Sequence, residues 1–167
     1  YMALGIKRIE ELRASPLLTE GNETNDFKDY DIQFEDVSFS YKNAKVINNL
    51  SITIPEQKLT ALVGPSGSGK TTLTRLIARF WDVDSGEIRI GGRNIKAYTS
   101  DNLMSKIAVV FQDVYLFNDT IYNNIRIGKD DASEDEIIAA AKIAHCHDFI
   151  MELPDAYHTM VGEGGNT

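Results

Sequence analysis

The sequence has few of the features that are typical of disulfide-rich, membrane-spanning or nucleic-acid-binding proteins. Its 167 residues include one cysteine, Cys146, which excludes an internal disulfide framework. No apolar run approaches the roughly 20 residues that a helix needs to cross a bilayer. Basic residues number 17 against 25 acidic ones, and the net charge of −8 argues against broad binding to nucleic acid. A locally positive pocket for one nucleotide stays compatible with this composition.

The most informative stretch is a glycine-rich loop between a predicted strand and a predicted helix. The apolar residues 59–63 precede the loop, and apolar residues recur at helical spacing after it. The order of strand, loop and helix is the context that a phosphate-binding loop requires. A glycine-rich turn that merely connects two elements is the alternative, but packing does not explain a Lys-Thr pair at the helix start. The candidate binding residues are Gly64, Pro65, Ser66, Gly67, Ser68, Gly69, Lys70, Thr71 and Thr72.

Each residue type in this loop suits a phosphate chain bound together with Mg²⁺. The glycines let the backbone turn tightly and aim N–H groups inward, and the next helix adds the positive end of its dipole. Lys70 is predicted to place a charge between the β- and γ-phosphates, which makes it a candidate catalytic residue. Thr71 is predicted to ligate Mg²⁺, and Thr72 to lie near the α-phosphate.

The amino-terminal part is predicted to precede the compact domain. Residues 3–14 have the pattern of an amphipathic helix, which Ser15 and Pro16 end. The polar residues 19–26 predict an exposed linker. We therefore expect a helix and linker over residues 1–29 and a domain over residues 30–167.

Within the domain, the patterns predict both antiparallel and buried strands. Two-residue alternation over 32–41 and 50–54 predicts antiparallel strands joined by a turn at 43–45. The pair Gly91-Gly92 predicts a second hairpin. Residues 107–111 are a continuous apolar run of the buried-strand type.

The last predicted helix covers residues 134–153. Ser133 is its expected N-cap, with Glu136 at capping-box distance. On such a helix, His145, Cys146 and His147 point to different faces, so we do not predict a metal site there.

The combination of motifs resembles the first part of the nucleotide-binding domain of an exporter-type ABC transporter, in which membrane and ATPase domains share one polypeptide. Their order and spacing are more specific than any single motif. The matching pieces are 37–41 (A-loop), the phosphate loop, 85–88 with Gly91 and Gly92, 111–113 (Q-loop), 116–121 with Asn124 and Ile125, and 161–165 (X-loop).

The resemblance implies a fold and further site residues. The fold is α/β, a partial P-loop NTPase core with an antiparallel β-subdomain, preceded by a helical linker from the membrane domain. Tyr41 would stack on adenine, and a strand tyrosine that covers the core is the alternative. Gln112 would reach Mg²⁺ and the attacking water, and an ordinary strand-end glutamine is the alternative.

The resemblance also implies ligands and partners. ATP and Mg²⁺ are the expected cofactors. A second nucleotide-binding domain and the transmembrane domain of the same polypeptide are the expected partners, at the cytoplasmic face of the cell membrane. A soluble ABC-type ATPase clamp, in regulation or DNA repair, is one alternative. A fragment that binds nucleotide without hydrolysis is another.

The family's signature sequence, Walker B aspartate, catalytic glutamate and switch histidine lie beyond the X-loop. We therefore expect the 167-residue chain to hydrolyse negligible ATP alone. The family also places strands between those at 60–63 and 107–111. Without these neighbours, we expect unpaired backbone at both segments and no compact monomer of the family type.

Overall fold

The structure is a computed structural model that describes residues 18–111 and 115–162. The chain divides after Ala108 into two compact units, which are described one by one. The predicted amphipathic helix at 3–14, Gln112 and most of the X-loop lie outside the described residues. Across the two described ranges, no helix is long and apolar enough to cross a membrane.

The first unit is built on an antiparallel sheet with the strand order β2-β1-β3-β4. The turn between β1 and β2 lies at Lys42 and Asn43, not at 43–45, because Tyr41 already pairs with Ala44. The second hairpin is confirmed, since Gly91 and Gly92 both have the positive φ that such a turn requires. The strands are β1 (Ile32–Tyr41), β2 (Ala44–Ile54), β3 (Ser85–Ile90) and β4 (Arg93–Asn94).

A bulge in β1 keeps its apolar side chains on one face. Phe34 pairs with Ile52 and Val37 with Leu50, so β1 advances three residues while β2 advances two. Asp36 takes up the extra residue with a left-handed φ of 50°. Because the bulge shifts the two-residue alternation by one, both Phe34 and Val37 are buried.

Helices and turns close the core against the sheet. Helix α1 (Lys70–Ile77) follows the glycine loop, and α2 (Ser100–Met104) follows the 3-10 turn Ile95–Ala97. The helical spacing after the loop is confirmed, since Leu73 and Leu76 are buried. The buried side chains of this core are Phe27, Phe34, Val37, Phe39, Ile47, Leu73, Leu76, Ile88, Ile90, Ile95, Tyr98 and Leu103.

Two predicted strands do not form. Residues 59–63 and 107–111 belong to no strand, and the described parts of the chain give neither of them a ladder partner. Leu59, Val63 and Val110 are accordingly exposed, at 102%, 89% and 94%, whereas Leu62 and Ile107 are partly buried against the core. The local sequence is of the strand type, but a strand exists only with a hydrogen-bonded neighbour.

The segment before β1, which we predict as an exposed linker, is anchored by its backbone. The amides of Asn22 and Glu23 both donate to the carbonyl of Ala97, at 3.1 and 3.0 Å. Glu20 accepts a hydrogen bond from the Ser100 amide, which lowers the pKa of its carboxyl. Phe27 is buried in the core. Most other side chains in 18–26 are exposed as predicted, but the backbone is held.

The second unit is mainly helical. A short antiparallel pair, β5 (Asp119–Thr120) with β6 (Met160–Val161), joins its two ends. The helices are α3 (Ile121–Arg126), α4 (Glu134–Ile143) and α5 (His147–Met151), followed by the 3-10 turn Ala156–His158. Its core cluster consists of the buried side chains Ile137, Ala141, Ile150 and Tyr157.

The single helix predicted over 134–153 is wrong, because the chain breaks into α4 and α5. His145 has a left-handed φ of 56°, which ends the α-helical backbone after Ala144. The predicted capping box is confirmed, with Ser133 and Glu136 exchanging both hydrogen bonds. His147 is engaged elsewhere, since its Nδ1 lies 2.9 Å from the Tyr157 hydroxyl.

We predict that Glu136 makes the stability of the chain depend on acid pH. Its carboxylate binds the Lys129 ammonium and the Ser133 amide, which lowers its pKa from 4.5 to about 2. A lowered carboxyl pKa contributes stability above the unfolded pKa and loses it as the pH falls through the folded one. The denaturant midpoint should therefore decline between pH 4.5 and 2, and Glu136→Gln should reduce the decline. Glu134→Gln removes a charge from the same helical turn outside the capping box, so an equal effect from it would contradict this assignment.

Candidate phosphate-binding site

The glycine loop folds as a tight turn against β2. Gly67 and Gly69 have φ values of 79° and 89°, which side chains rarely adopt. A Cβ atom on Gly69 would also lie 2.7 Å from Ile47 Cδ1. Gly69 is buried, while residues 64–68 are exposed. The absence of a side chain at 69 therefore lets the loop sit directly on β2 and leaves its other surface open to solvent.

The N-terminus of α1 has no side-chain cap. Its N-cap residue is Gly69, and its first turn contains no acidic residue. The other long helix, α4, has the capping box and three acidic residues at the same place. Uncapped amides and the positive end of the helix dipole are the features that bind phosphate. The start of α1 therefore has hydrogen-bond donors available for an anion.

The Lys70 side chain curls back over the loop. Its Nζ donates to the carbonyl oxygens of Gly64 and Pro65, at 2.9 and 2.8 Å, and reaches Ser68 Oγ at 3.4 Å. These partners are all neutral. Coulomb attraction adds to the hydrogen bond when the acceptor is an anion, so a phosphate oxygen can compete with these carbonyls for the ammonium. The Lys70 ammonium thus lies within hydrogen-bond distance of three residues of the loop.

The two threonines after Lys70 occupy different environments. Thr71 is exposed at the open side of the loop, while Thr72 is buried, with 7% of its surface accessible. Thr71 is therefore available as a hydroxyl ligand for Mg²⁺. Its partner in the predicted metal site, Gln112, lies outside the described residues. No group of three or more histidine, cysteine or carboxylate side chains in the described ranges could hold a metal.

Tyr41 ends β1 within an aromatic cluster of the same unit. Its ring packs edge-to-face with Phe39 at 4.9 Å and with Trp81 at 5.1 Å between centroids. Its hydroxyl is buried without a hydrogen-bond partner among the described residues. An unpartnered hydroxyl costs about 1–3 kcal/mol, so this position uses the ring and not the oxygen. Stacking on adenine stays a prediction, as does the alternative in which the ring covers the core.

Asn124 has a structural role in the second unit that we did not predict. Its Oδ1 accepts from the Phe117 amide at 2.8 Å, and its Nδ2 donates to the carbonyls of Phe117 and Thr120, at 3.0 Å each. One side chain therefore closes the turn that leads from residue 117 into α3. The only sequence signal was the position of Asn124 in the matched exporter motif, because a lone asparagine does not predict three such contacts.

Comparisons with known proteins show what the chain is similar to in sequence and in fold. Residues 47–162 match the family model described as ABC transporter. The "ATP-dependent lipid A-core flippase" of Desulfotalea psychrophila is 51% identical over 134 residues, which are 80% of this chain and 23% of that protein. The "Iron-sulfur clusters transporter atm1, mitochondrial" of Neurospora crassa is 46% identical over 158 residues, 93% of this chain and 21% of that protein. The chain thus spans about a quarter of the length of these relatives.

A solved structure shows the same chain path. The structure of a bacterial Atm1-family ABC exporter with ATP bound aligns with a TM-score of 0.88 and 36% identity. The alignment covers 98% of this chain and 29% of that one. The partial P-loop NTPase core and the exporter-type resemblance are confirmed by these matches.

We predict that Gly69→Ala is more destabilising than Gly67→Ala. Both substitutions place a side chain at a positive φ, which costs about 1–2 kcal/mol. Only the Cβ at 69 meets Ile47, since nothing lies within 4 Å of a Cβ at 67. Denaturant unfolding of both variants measures the difference. Adding Ile47→Val to Gly69→Ala removes the clashing Cδ1 and should recover part of the loss, and strict additivity would contradict the proposed contact.

Proposed function

Because this chain belongs to the ABC transporter family, we propose that it forms the ATP-binding part of a transporter that ATP hydrolysis drives. The observation that carries the proposal is the glycine loop at the uncapped start of α1, with the Lys70 ammonium held on neutral carbonyls. The loop amides and Lys70 would bind the phosphates, and Thr71 would bind Mg²⁺. Tyr41 would stack on adenine. These residues supply binding and charge stabilisation, which are the main protein contributions to phosphoryl transfer.

The chemistry of ATP supports a defined role for each side chain. Bound Mg²⁺ would neutralise developing charge on the β- and γ-phosphate oxygens. Lys70 would leave the Gly64 and Pro65 carbonyls for the phosphates, a change from neutral to anionic acceptors. Gln112 would orient the attacking water through its amide oxygen. Hydrolysis also needs groups that we expect outside these 167 residues, so we propose that this chain alone binds ATP without efficient turnover.

The relatives suggest partners but no single substrate. They are named for lipid A-core and for iron-sulfur clusters, and this chain matches only 23% and 21% of their length. We therefore leave the transported molecule open. We propose a second nucleotide-binding domain and a membrane domain of the same polypeptide as partners, with the site at the cytoplasmic face of the membrane. Residues 1–29 would join the two domains.

We predict that Lys70→Ala abolishes ATP binding and that Lys70→Arg weakens it less. Each bond to a charged group contributes about 1.5–3 kcal/mol, and the alanine variant loses several of them at once. Arginine keeps the charge but displaces it. Titration calorimetry with Mg-ATP measures both variants. Lys142→Ala removes the same charge from α4 in the other unit, and an equal loss there would refute a specific role for Lys70.

We predict that Tyr41→Ala weakens ATP binding by about 1–3 kcal/mol, by analogy with aromatic stacking on bases, while Tyr41→Phe does not. The Tyr41 hydroxyl has no hydrogen-bond partner in the described part of the chain, so we expect its removal to leave binding unchanged. Binding of inorganic tripolyphosphate separates the two interpretations of this ring. A stacking residue affects ATP alone, whereas a residue that only covers the core affects both ligands or neither.

We predict that the isolated chain self-associates through residues 59–63 and 107–111, which pair with no described strand. Val110 is 94% exposed in such a segment, so Val110→Lys should reduce the mass measured by light scattering. Ile143, 81% exposed at the end of α4, gives a matched control because its helical backbone is already paired. The prediction would be contradicted if the unaltered 167-residue chain were a monomer, or if Val110→Lys and Ile143→Lys had equal effects.

A further inference from the structure

Arg79 is a buried arginine two residues beyond the end of α1. It is 7% exposed, and its guanidinium makes two hydrogen bonds. Nε donates to Asp82 Oδ1 at 3.0 Å, and Nη2 donates to the carbonyl oxygen of Thr19 at 2.6 Å. The planar guanidinium holds both partners at fixed angles, which a lysine cannot do. Arg79 thus links the end of the phosphate-loop helix to a residue 60 positions earlier.

The backbone at Arg79 is also in an uncommon conformation. Its φ is 53°, in the left-handed region, and its amide donates to the Leu76 carbonyl at 3.0 Å. A residue other than glycine stays in this region only where its surroundings hold it there. The Thr19 and Asp82 contacts supply that support. The side-chain contacts of Arg79 therefore help to hold the left-handed turn that follows α1.

Thr19, the distant partner of Arg79, belongs to residues 18–24. These residues precede β1, and we call them the entering segment. It rests on the backbone of 97–99, since Asn22 and Glu23 donate to Ala97 and the Thr99 amide donates back to Glu23 at 3.0 Å. The fit is close, because a Cβ on Gly21 would lie 2.3 Å from the Ala97 carbonyl carbon. A shift at Thr19 would therefore change the geometry of a continuous hydrogen-bonded strip.

We propose that Arg79 is a positioning residue that couples phosphate binding at the start of α1 to the anchoring of the entering segment. The inference rests on the proposed function. Helix α1 is a single rod of eight residues, about 12 Å long, with Lys70 at one end and Arg79 just past the other. Binding that stiffens or shifts this rod acts on Thr19 through Arg79. By linkage, looser anchoring of the entering segment weakens ATP binding by the same factor.

Amide hydrogen exchange of the complete 167-residue chain, with and without Mg-ATP, tests the coupling. The amides of the glycine loop report nucleotide binding, and those of Asn22 and Glu23 report anchoring. In the unaltered chain, Mg-ATP should slow exchange at both places, by about fivefold or more at Asn22 and Glu23, the lower end of common coupling factors. Arg79→Gln should keep the slowing in the loop and lose it in the entering segment. Arg79→Lys should give an intermediate response.

Arg93→Gln is the matched control. Arg93 binds Glu23 of the same segment, but it does so from β4 and is more than half exposed. Its loss should speed exchange of the segment in both conditions and leave the ATP-dependent slowing intact. Equal loss in Arg79→Gln and Arg93→Gln would overturn the assignment to Arg79.

Failure of the coupling differs from failure of the proposed function. If Mg-ATP slows amide exchange in the glycine loop of the unaltered chain but not at Asn22 and Glu23, the coupling is wrong while ATP binding stands. No slowing in the loop overturns ATP binding and, with it, the coupling. If circular dichroism shows Arg79→Gln unfolded, Arg79→Lys decides, because an undiminished response in that variant contradicts the role of the guanidinium.

Discussion

The contact between Gly69 and Ile47 is the constraint on which the candidate site depends. It lets the start of α1 lie directly on β2, with a backbone conformation that only glycine adopts freely. A glycine at this position cannot cap the helix with a side chain, so the first-turn donors stay available to an anion. The close fit to the sheet and the capacity to bind phosphate are therefore two results of one missing side chain.

The antiparallel sheet, which contains Ile47, is the described part of the fold that supports the contact between Gly69 and Ile47. Strands β1 and β2 are joined by a two-residue turn, and β3 pairs with β1 on its other side. Together they bury Phe34 and Ile88. The strand-like residues 59–63 differ because no described strand pairs with them. The glycine loop is thus held on its β2 and α1 sides, while the segment that leads into it has exposed apolar residues such as Leu59.

The sequence predicted what local chemistry determines. The helix after the glycine loop, the Gly91-Gly92 hairpin and the Ser133 capping box depend on neighbouring residues, and each forms as expected. The errors lie where distant contacts or one backbone angle decide. The left-handed His145 divides the predicted last helix, although histidine gives no strong signal for such a turn. The polar segment 19–26 looked like a linker because its anchors are backbone groups of 97–99, which composition does not reveal.

Electrostatics explains why a strongly acidic chain can still bind a phosphate ligand at one place. The net charge of −8 repels polyanions at long range, but screening limits this repulsion to about 8–10 Å at physiological salt. Within the loop, the helix dipole, the free amides and Lys70 act at hydrogen-bond distance, where their attraction exceeds the distant repulsion. A ligand that carries its own Mg²⁺ lowers the remaining cost further, because part of its charge is neutralised before it reaches the protein. The net charge disfavours nucleic acid, because most of its many phosphates would lie beyond the reach of the loop.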